Sequence, residues 1–362
     1  MQRLLLPSHV SVWFDPPDED GDEALHIVSE RRSLTLKGLG FRELCERVVP
    51  LLDGTRSLDD IQAQASDVID AEDLAETLDL LLAQGVVVEA PDEPGPERRL
   101  PQRNLFSDLA PGEDLQRRLA TATVTVIGLG GAGPAAVLAL AAAGVGTLRC
   151  HDALAVTPAD TYFSPFLGVE AVGASRAQRV AAQARAAAPD CEVLALDTPL
   201  EDDEDVRRAI AGSDYVLCCL DAGQLNLAYK VNRACLALHV RWIACALSGA
   251  EVIVGPAIDP GRSACFMCYR MRAVACAGNP EHAFVHERRL DRRRSDDSDR
   301  RENLVFGAGI AANLAGNEVL NDLSGLAAPA LVGRILTIRL TDLAIERHAV
   351  LRKPDCPACH DR

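Results

Sequence analysis

Four cysteines stand in two pairs, Cys265-Phe-Met-Cys268 and Cys356-Pro-Ala-Cys359. Two such pairs supply four soft ligands to a tetrahedral metal, whatever the chain distance between them. Sulfur fills all four positions and leaves no open position for catalysis, so structural Zn2+ is the expectation. A second signature is Gly128-Leu-Gly-Gly-Ala-Gly133. It follows an apolar strand and opens an apolar helix, the context in which such a loop cradles phosphate. Gly128 permits the tight turn, Gly130 lets backbone approach a phosphate, and Gly133 lets helix pack on strand. Gly131 lies in the same loop. Asp152 ends the next strand, where a carboxylate can bond a ribose. Alone, the loop suits a dinucleotide oxidoreductase, or a turn in which Gly128 and Gly133 serve packing only.

The elements that must position these residues follow from periodicity. From residue 124 onward, strands at 124–127, 147–151, 191–196, 215–220, 241–246 and 250–255 alternate with helices at 134–143, 175–188, 204–211 and 226–238. Such alternation predicts an α/β, Rossmann-type domain with a mainly parallel sheet. The beginning of the chain reads differently. Three short strands (9–14, 24–29, 33–37) precede three helices and a last strand at 86–89. The first helix covers 41–52 and stops at Asp53-Gly54. Ser57 caps the second with Asp60 three residues on, and Asp70 caps the third, which runs to residue 84. This is a small α+β, winged-helix-like domain over residues 1–90. Four prolines between 91 and 103 mark a linker, taken to residue 110. The second domain then covers 111–362, starting with a helix near 113–122.

Charge divides the chain in the same way. Of 362 residues, 37 are basic and 53 acidic, a net of −16. Residues 1–100 hold 9 basic and 22 acidic side chains, so most of the imbalance is N-terminal. Backbone binding to nucleic acid needs basic clusters, and nucleic acid is therefore a poor partner. No apolar run reaches the roughly 20 residues of a membrane span, and the start lacks the apolar core of a secretory signal. A cytoplasmic protein without membrane partners is expected. The eight cysteines outside the pairs read as small hydrophobes. Cys276 is one of them, with no base beside it in sequence. Residues 286–302 carry seven arginines and six acids, the pattern of a solvated loop or of one that grips a peptide or partner.

Residues 120–362 resemble the ThiF/MoeB-like superfamily, related to ubiquitin-activating enzymes. The resemblance runs through 124–133, the following Leu-Ala-Ala-Ala-Gly-Val-Gly-Thr-Leu (140–148), Asp152, Asp221 and the two cysteine pairs. The tail from Arg347 to Cys359 looks like the cyclodehydratase partner proteins of azole-modified (TOMM) peptide biosynthesis. The N-terminal module, with Leu51-Leu-Asp-Gly-Thr55 before its helical pair, looks like a PqqD-like peptide-recognition element.

The resemblance implies that the glycine loop holds ATP phosphates, Asp152 the ribose and Asp221 magnesium. Arg176 in Val-Gly-Ala-Ser-Arg (172–176) stands where adenylating members place a phosphate-contacting Lys. Those members also carry an Asn-Leu-x-Arg-Gln-like segment whose Arg stabilises the triphosphate. Here 161–166 reads Thr-Tyr-Phe-Ser-Pro-Phe, and no basic residue lies between 153 and 175. Developing charge on phosphate needs fixed cations, so adenylation is expected to be impaired or absent. The resemblance further implies a leader-peptide-binding partner of a YcaO-type cyclodehydratase, paired as a homodimer. The leader would add as a strand between the third strand and third helix of the first module. Arg32, Leu34, Leu36 and Lys37 would face it from the strand, and Asp73, Glu76, Thr77 and Leu80 from the helix. An ATP- and Mg2+-dependent peptide adenylyltransferase, which fuses a peptide clamp to the same domain, is the competing expectation.

Overall fold

The computed structural model describes residues 3–17, 19, 21–90, 97–164, 167–220, 225–285 and 303–360. The chain divides into two compact units, Met1–Leu115 and Gln116–Arg362. Asp221 and the charged segment 286–302 lie outside the described residues.

The first unit holds two small antiparallel sheets. Strands β2 (Ser11–Asp15), β3 (Glu23–Val28) and β4 (Ser33–Gly38) form one, in that order. Leu36 pairs with Leu25 and Leu34 with Ile27 across it. The alternation of these residues turns one face of the sheet inward. The other sheet is β5 (Asp53–Ser57), β1 (Arg3–Leu5) and β6 (Val88–Glu89). The sequence reading missed β1 and β5. The residues Asp-Gly-Thr-Arg-Ser carry no apolar alternation, and pairing with β1 alone makes them a strand. The helical segment α1 begins at Phe41–Glu43 and continues irregularly to residue 51, ending in a turn that contains Pro50. Helix α2 (Leu58–Ala65) begins in the expected Ser57/Asp60 capping box. The Asp70 side chain caps α3 (Ala71–Ala83), and Gly85 ends that turn with φ of +64°. Leu74 and Leu78 of α3 pack on Leu4, Leu25, Ile27 and Ile61 in one buried cluster.

Residues 97–110 correct the expected linker. Helix α4 (Leu100–Leu109) starts with Pro101 in its first turn, a position that needs no N–H. It belongs to the first unit. Its Asp108 accepts the Ser29 hydroxyl at 2.9 Å and lies 3.2 Å from His9 Nε2. Of the four prolines, Pro101 marks a helix start, and residues 91–96 lie outside the described residues.

In the second unit an eight-stranded sheet runs β14-β13-β12-β11-β10-β7-β8-β9. Strands β7 (Thr123–Ile127), β8 (Thr147–His151), β9 (Glu192–Leu196), β10 (Tyr215–Leu220) and β11 (Arg241–Ser248) are parallel. Strands β12 (Glu251–Ile258), β13 (Arg334–Arg339) and β14 (Ala344–Ala349) extend it antiparallel. The order reverses at β7, with β8 on one side and β10 on the other. That is the switch point where doubly wound sheets bind ligands. Helix α5 (Leu115–Thr121) leads into β7, and α6 (Gly133–Ala143) returns the chain to β8. Helices α7 (Pro158–Phe163) and α8 (Arg176–Ala187) connect β8 to β9, and α9 (Asp203–Ile210) connects β9 to β10. Helix α10 (Leu225–Leu238) precedes β11. Helix α11 (Phe266–Ala275) starts one residue after Cys265, and α12 (Val305–Ser324) is a long apolar helix. Ala311, Ala312, Ala315 and Val319 of α12 share one core with Ala136, Val137 and Leu140 of α6. No helix among the described residues is long and apolar enough to cross a membrane.

Truncating Leu78 to Ala should cost about 2–5 kcal/mol, as for other buried large-to-small changes. Leu39→Ala, at an exposed position, should stay within roughly 0.5 kcal/mol of wild type. Urea unfolding midpoints check both.

Candidate functional site

The glycine loop leaves β7 at the switch point. Gly128 has φ of +90°, and a β-carbon there would stand 2.2 Å from the Cys219 carbonyl oxygen. A β-carbon on Gly133 would stand 2.0 Å from the Gly128 carbonyl oxygen. Both contacts are to backbone, so packing alone demands these two glycines, whatever binds. Gly130 and Gly131 complete the turn and are buried.

Asp152 follows β8, as expected, and its carboxylate binds the loop itself. One oxygen accepts the Leu129 N–H at 2.8 Å, and the other accepts the Leu154 N–H at 2.9 Å. Arg176 Nη1 lies 3.3 Å from the first of these oxygens.

Arg176, the residue expected at a phosphate, lies among carboxylates. It is 1% exposed and forms a two-pronged pair with Asp160, with Nε at 2.8 Å and Nη2 at 3.0 Å. Asp160 is placed by its own helix start. Its carboxylate accepts the Thr157 N–H at 2.7 Å, and its N–H reaches the Thr157 hydroxyl at 3.3 Å. The sequence reading passed over Asp160, although Thr157-Pro-Ala-Asp160 carries the spacing of a capping box. The result is a buried cluster of one guanidinium and two carboxylates next to the glycine loop. Its formal charge is negative. Burial also pushes His151, at the end of β8, below the usual histidine range, against the opposing pull of Asp152 and Asp197. The imidazole is therefore neutral at pH 7 and adds no cation. Arg176 is thus engaged by Asp160 and Asp152 beside the glycine loop.

The four paired cysteines meet. Cys265, Cys268, Cys356 and Cys359 are all buried, with their sulfurs within 4.8 Å of one another. Measured separations are 3.9 Å for 265–268, 3.7 Å for 265–356 and 3.6 Å for 268–359. A tetrahedral zinc with Zn–S bonds of about 2.3 Å sets its sulfurs roughly 3.8 Å apart. The donor set therefore fits zinc. Around it, the Lys353 N–H donates to Cys268 Sγ at 3.3 Å, and Arg352 donates to the Cys359 carbonyl. Asn232 accepts the Phe266 N–H at 3.0 Å, fixing the start of α11 beside the ligands. Cys276 ends α11 and is exposed, outside the tetrad.

In the first unit, β4 is paired only with β3 among the described residues, so its other edge is open. Leu36 is 40% and Leu80 53% exposed. Leu34 is half-buried and packs on the core, and Lys37 is exposed. Asp73 and Glu76 are exposed on α3. The Thr77 hydroxyl donates back to the Asp73 carbonyl at 2.8 Å, within its own helix.

A Rossmann-type sheet with a glycine loop at its switch point and a tetracysteine cluster among its buried residues defines a doubly wound α/β protein. The chain belongs to the ThiF family, whose signature spans residues 102–358. Solved structures share the fold over the whole length. MccB of E. coli with ATP has a TM-score of 0.66 at 16% identity, covering 99% of this chain and 100% of that one. The microcin C7 biosynthetic enzyme MccB in complex with N-formylated MccA has a TM-score of 0.68 at 16% identity, covering 99% and 100%. PaaA has a TM-score of 0.67 at 17% identity, covering 95% and 99%. No curated protein matches the sequence.

Two outcomes follow. Asp160→Ala leaves the Arg176 guanidinium buried with less compensation and should cost about 3–5 kcal/mol; thermal melts decide. Cys356→Ser should release zinc and lower the melting temperature. Zinc remaining at one per chain in that variant would disprove the tetrad.

Proposed function

We propose that the chain binds the leader segment of a precursor peptide and presents it to a YcaO-type cyclodehydratase in thiazole/oxazole-modified RiPP biosynthesis. It performs no adenylyl transfer of its own. The carrying observation is the buried Arg176–Asp160–Asp152 cluster. It occupies the one cation that the sequence offered to a phosphate, and its formal negative charge opposes a triphosphate at the loop. Transfer chemistry on phosphate needs fixed cations at the developing charge. The edge of β4 left unpaired among the described residues, exposed Leu36 on that strand and exposed Leu80 on α3 support peptide recognition by strand addition, in which backbone bonds give affinity and side-chain pockets give selectivity. The full-length likeness to MccB, solved with its peptide MccA, supports a peptide partner for this chain too. In this reading zinc is structural, joining the chain's C-terminal cysteines to α11, and the protein works as a homodimer.

A second reading, an ATP- and Mg2+-dependent peptide adenylyltransferase, draws on the intact glycine turn, on Asp152 and on the ATP-bound MccB structure. Asp221 would hold its magnesium.

The peptide reading is tested with the full-length protein and fluorescent peptides selected for binding to it. Leu36→Asp with Leu80→Asp should weaken binding by about tenfold or more in fluorescence anisotropy. The melting temperature should hold, because both side chains are exposed. Undiminished binding would refute the groove.

A further inference from the structure

One end of the proposed groove has a specific chemistry. Arg32 immediately precedes β4, and its Nη1 is buried without a hydrogen-bond partner among the described residues. Its Nη2 lies 3.5 Å from where a β-carbon on Gly85 would stand, just beyond α3. The guanidinium therefore sits where β4 begins and α3 ends. Asp108, which reaches the same turn through Ser29, is already engaged by Ser29 and His9. A buried N–H of a cation is costly to leave unmet, and a carboxylate is its strongest partner.

We propose that Arg32 receives a carboxylate of the bound leader, and so selects leaders with Asp or Glu at one fixed position. The inference rests on the strand-addition reading above. Arg32, Leu34 and Leu36 alternate, so they share one face of the extended chain. A peptide added antiparallel to β4, the sense of every other pairing in that sheet, meets them in reverse order. The residue opposite Leu36 comes first, the residue opposite Leu34 two places later, and the residue opposite Arg32 two places later again. The leader class is thus apolar, any, apolar, any, acidic. Leu36 and Leu80 supply the apolar wall. The unit around the groove is strongly acidic, so a carboxylate is favoured only where a fixed cation meets it.

The test uses a displayed library of random dodecapeptides selected on the full-length protein. Parallel selections use Arg32→Gln, Arg32→Lys and the Leu36→Asp/Leu80→Asp variant. Wild type should enrich peptides with an acid four places after an apolar residue. A synthetic representative should bind about tenfold or more tightly than its Glu→Gln counterpart. Arg32→Gln should abolish that difference, and Arg32→Lys should keep part of it, which separates lost charge from lost folding. Enriched peptides that need Leu36 and Leu80 but show no acid at that place would overturn the role of Arg32 and leave strand addition standing. Enrichment of no peptide that depends on Leu36 and Leu80 would overturn strand addition, and the role of Arg32 with it.

Discussion

A guanidinium with no access to water must be neutralised from within, and that constraint organises the second unit. Arg176 meets it with Asp160 and Asp152. The first carboxylate is held by the start of α7, and the second is bonded to the glycine loop and to the chain that follows β8. Three segments that are distant in sequence are thereby fixed to one another at the switch point of the sheet. Breaking such a buried pair by removing one partner is costly, whereas replacing the whole set by apolar groups need not be. The cluster thus ties the glycine loop to the starts of α7 and α8.

The tetracysteine centre does a different job. The two pairs lie 91 positions apart, and α12, β13 and β14 intervene between them. A metal held by both pairs would close that long loop and fix the segment around Cys356 and Cys359 in place. Leu236, Val350 and the four cysteines form a small core of their own around the site. No ligand position is left open, so the centre has the form of a staple rather than a catalyst.

Much of this was legible in the sequence, for identifiable reasons. Several of the parallel strands are mainly apolar and most of their helices are capped or glycine-terminated, so the pattern read from 124 to 246 survives with shifts of one or two residues, with α7 added between β8 and β9. The cysteine pairs were legible because thiolate spacing is a local signal. What failed depended on partners. Strand β5 exists through its pairing with β1, and α4 through its docking by Asp108 on Ser29 and His9. The burial of Arg176 could not be seen, because its partner Asp160 lies 16 positions away and nothing in either local pattern announces the pair.

The most direct test is calorimetric titration of the purified full-length protein with Mg-ATP, with and without its precursor peptide. With Arg176 neutralised from within, no saturable heat is expected up to millimolar nucleotide in either case. Saturable binding, followed by peptide-dependent release of pyrophosphate, would contradict a purely presenting role and restore adenylyl transfer to this site.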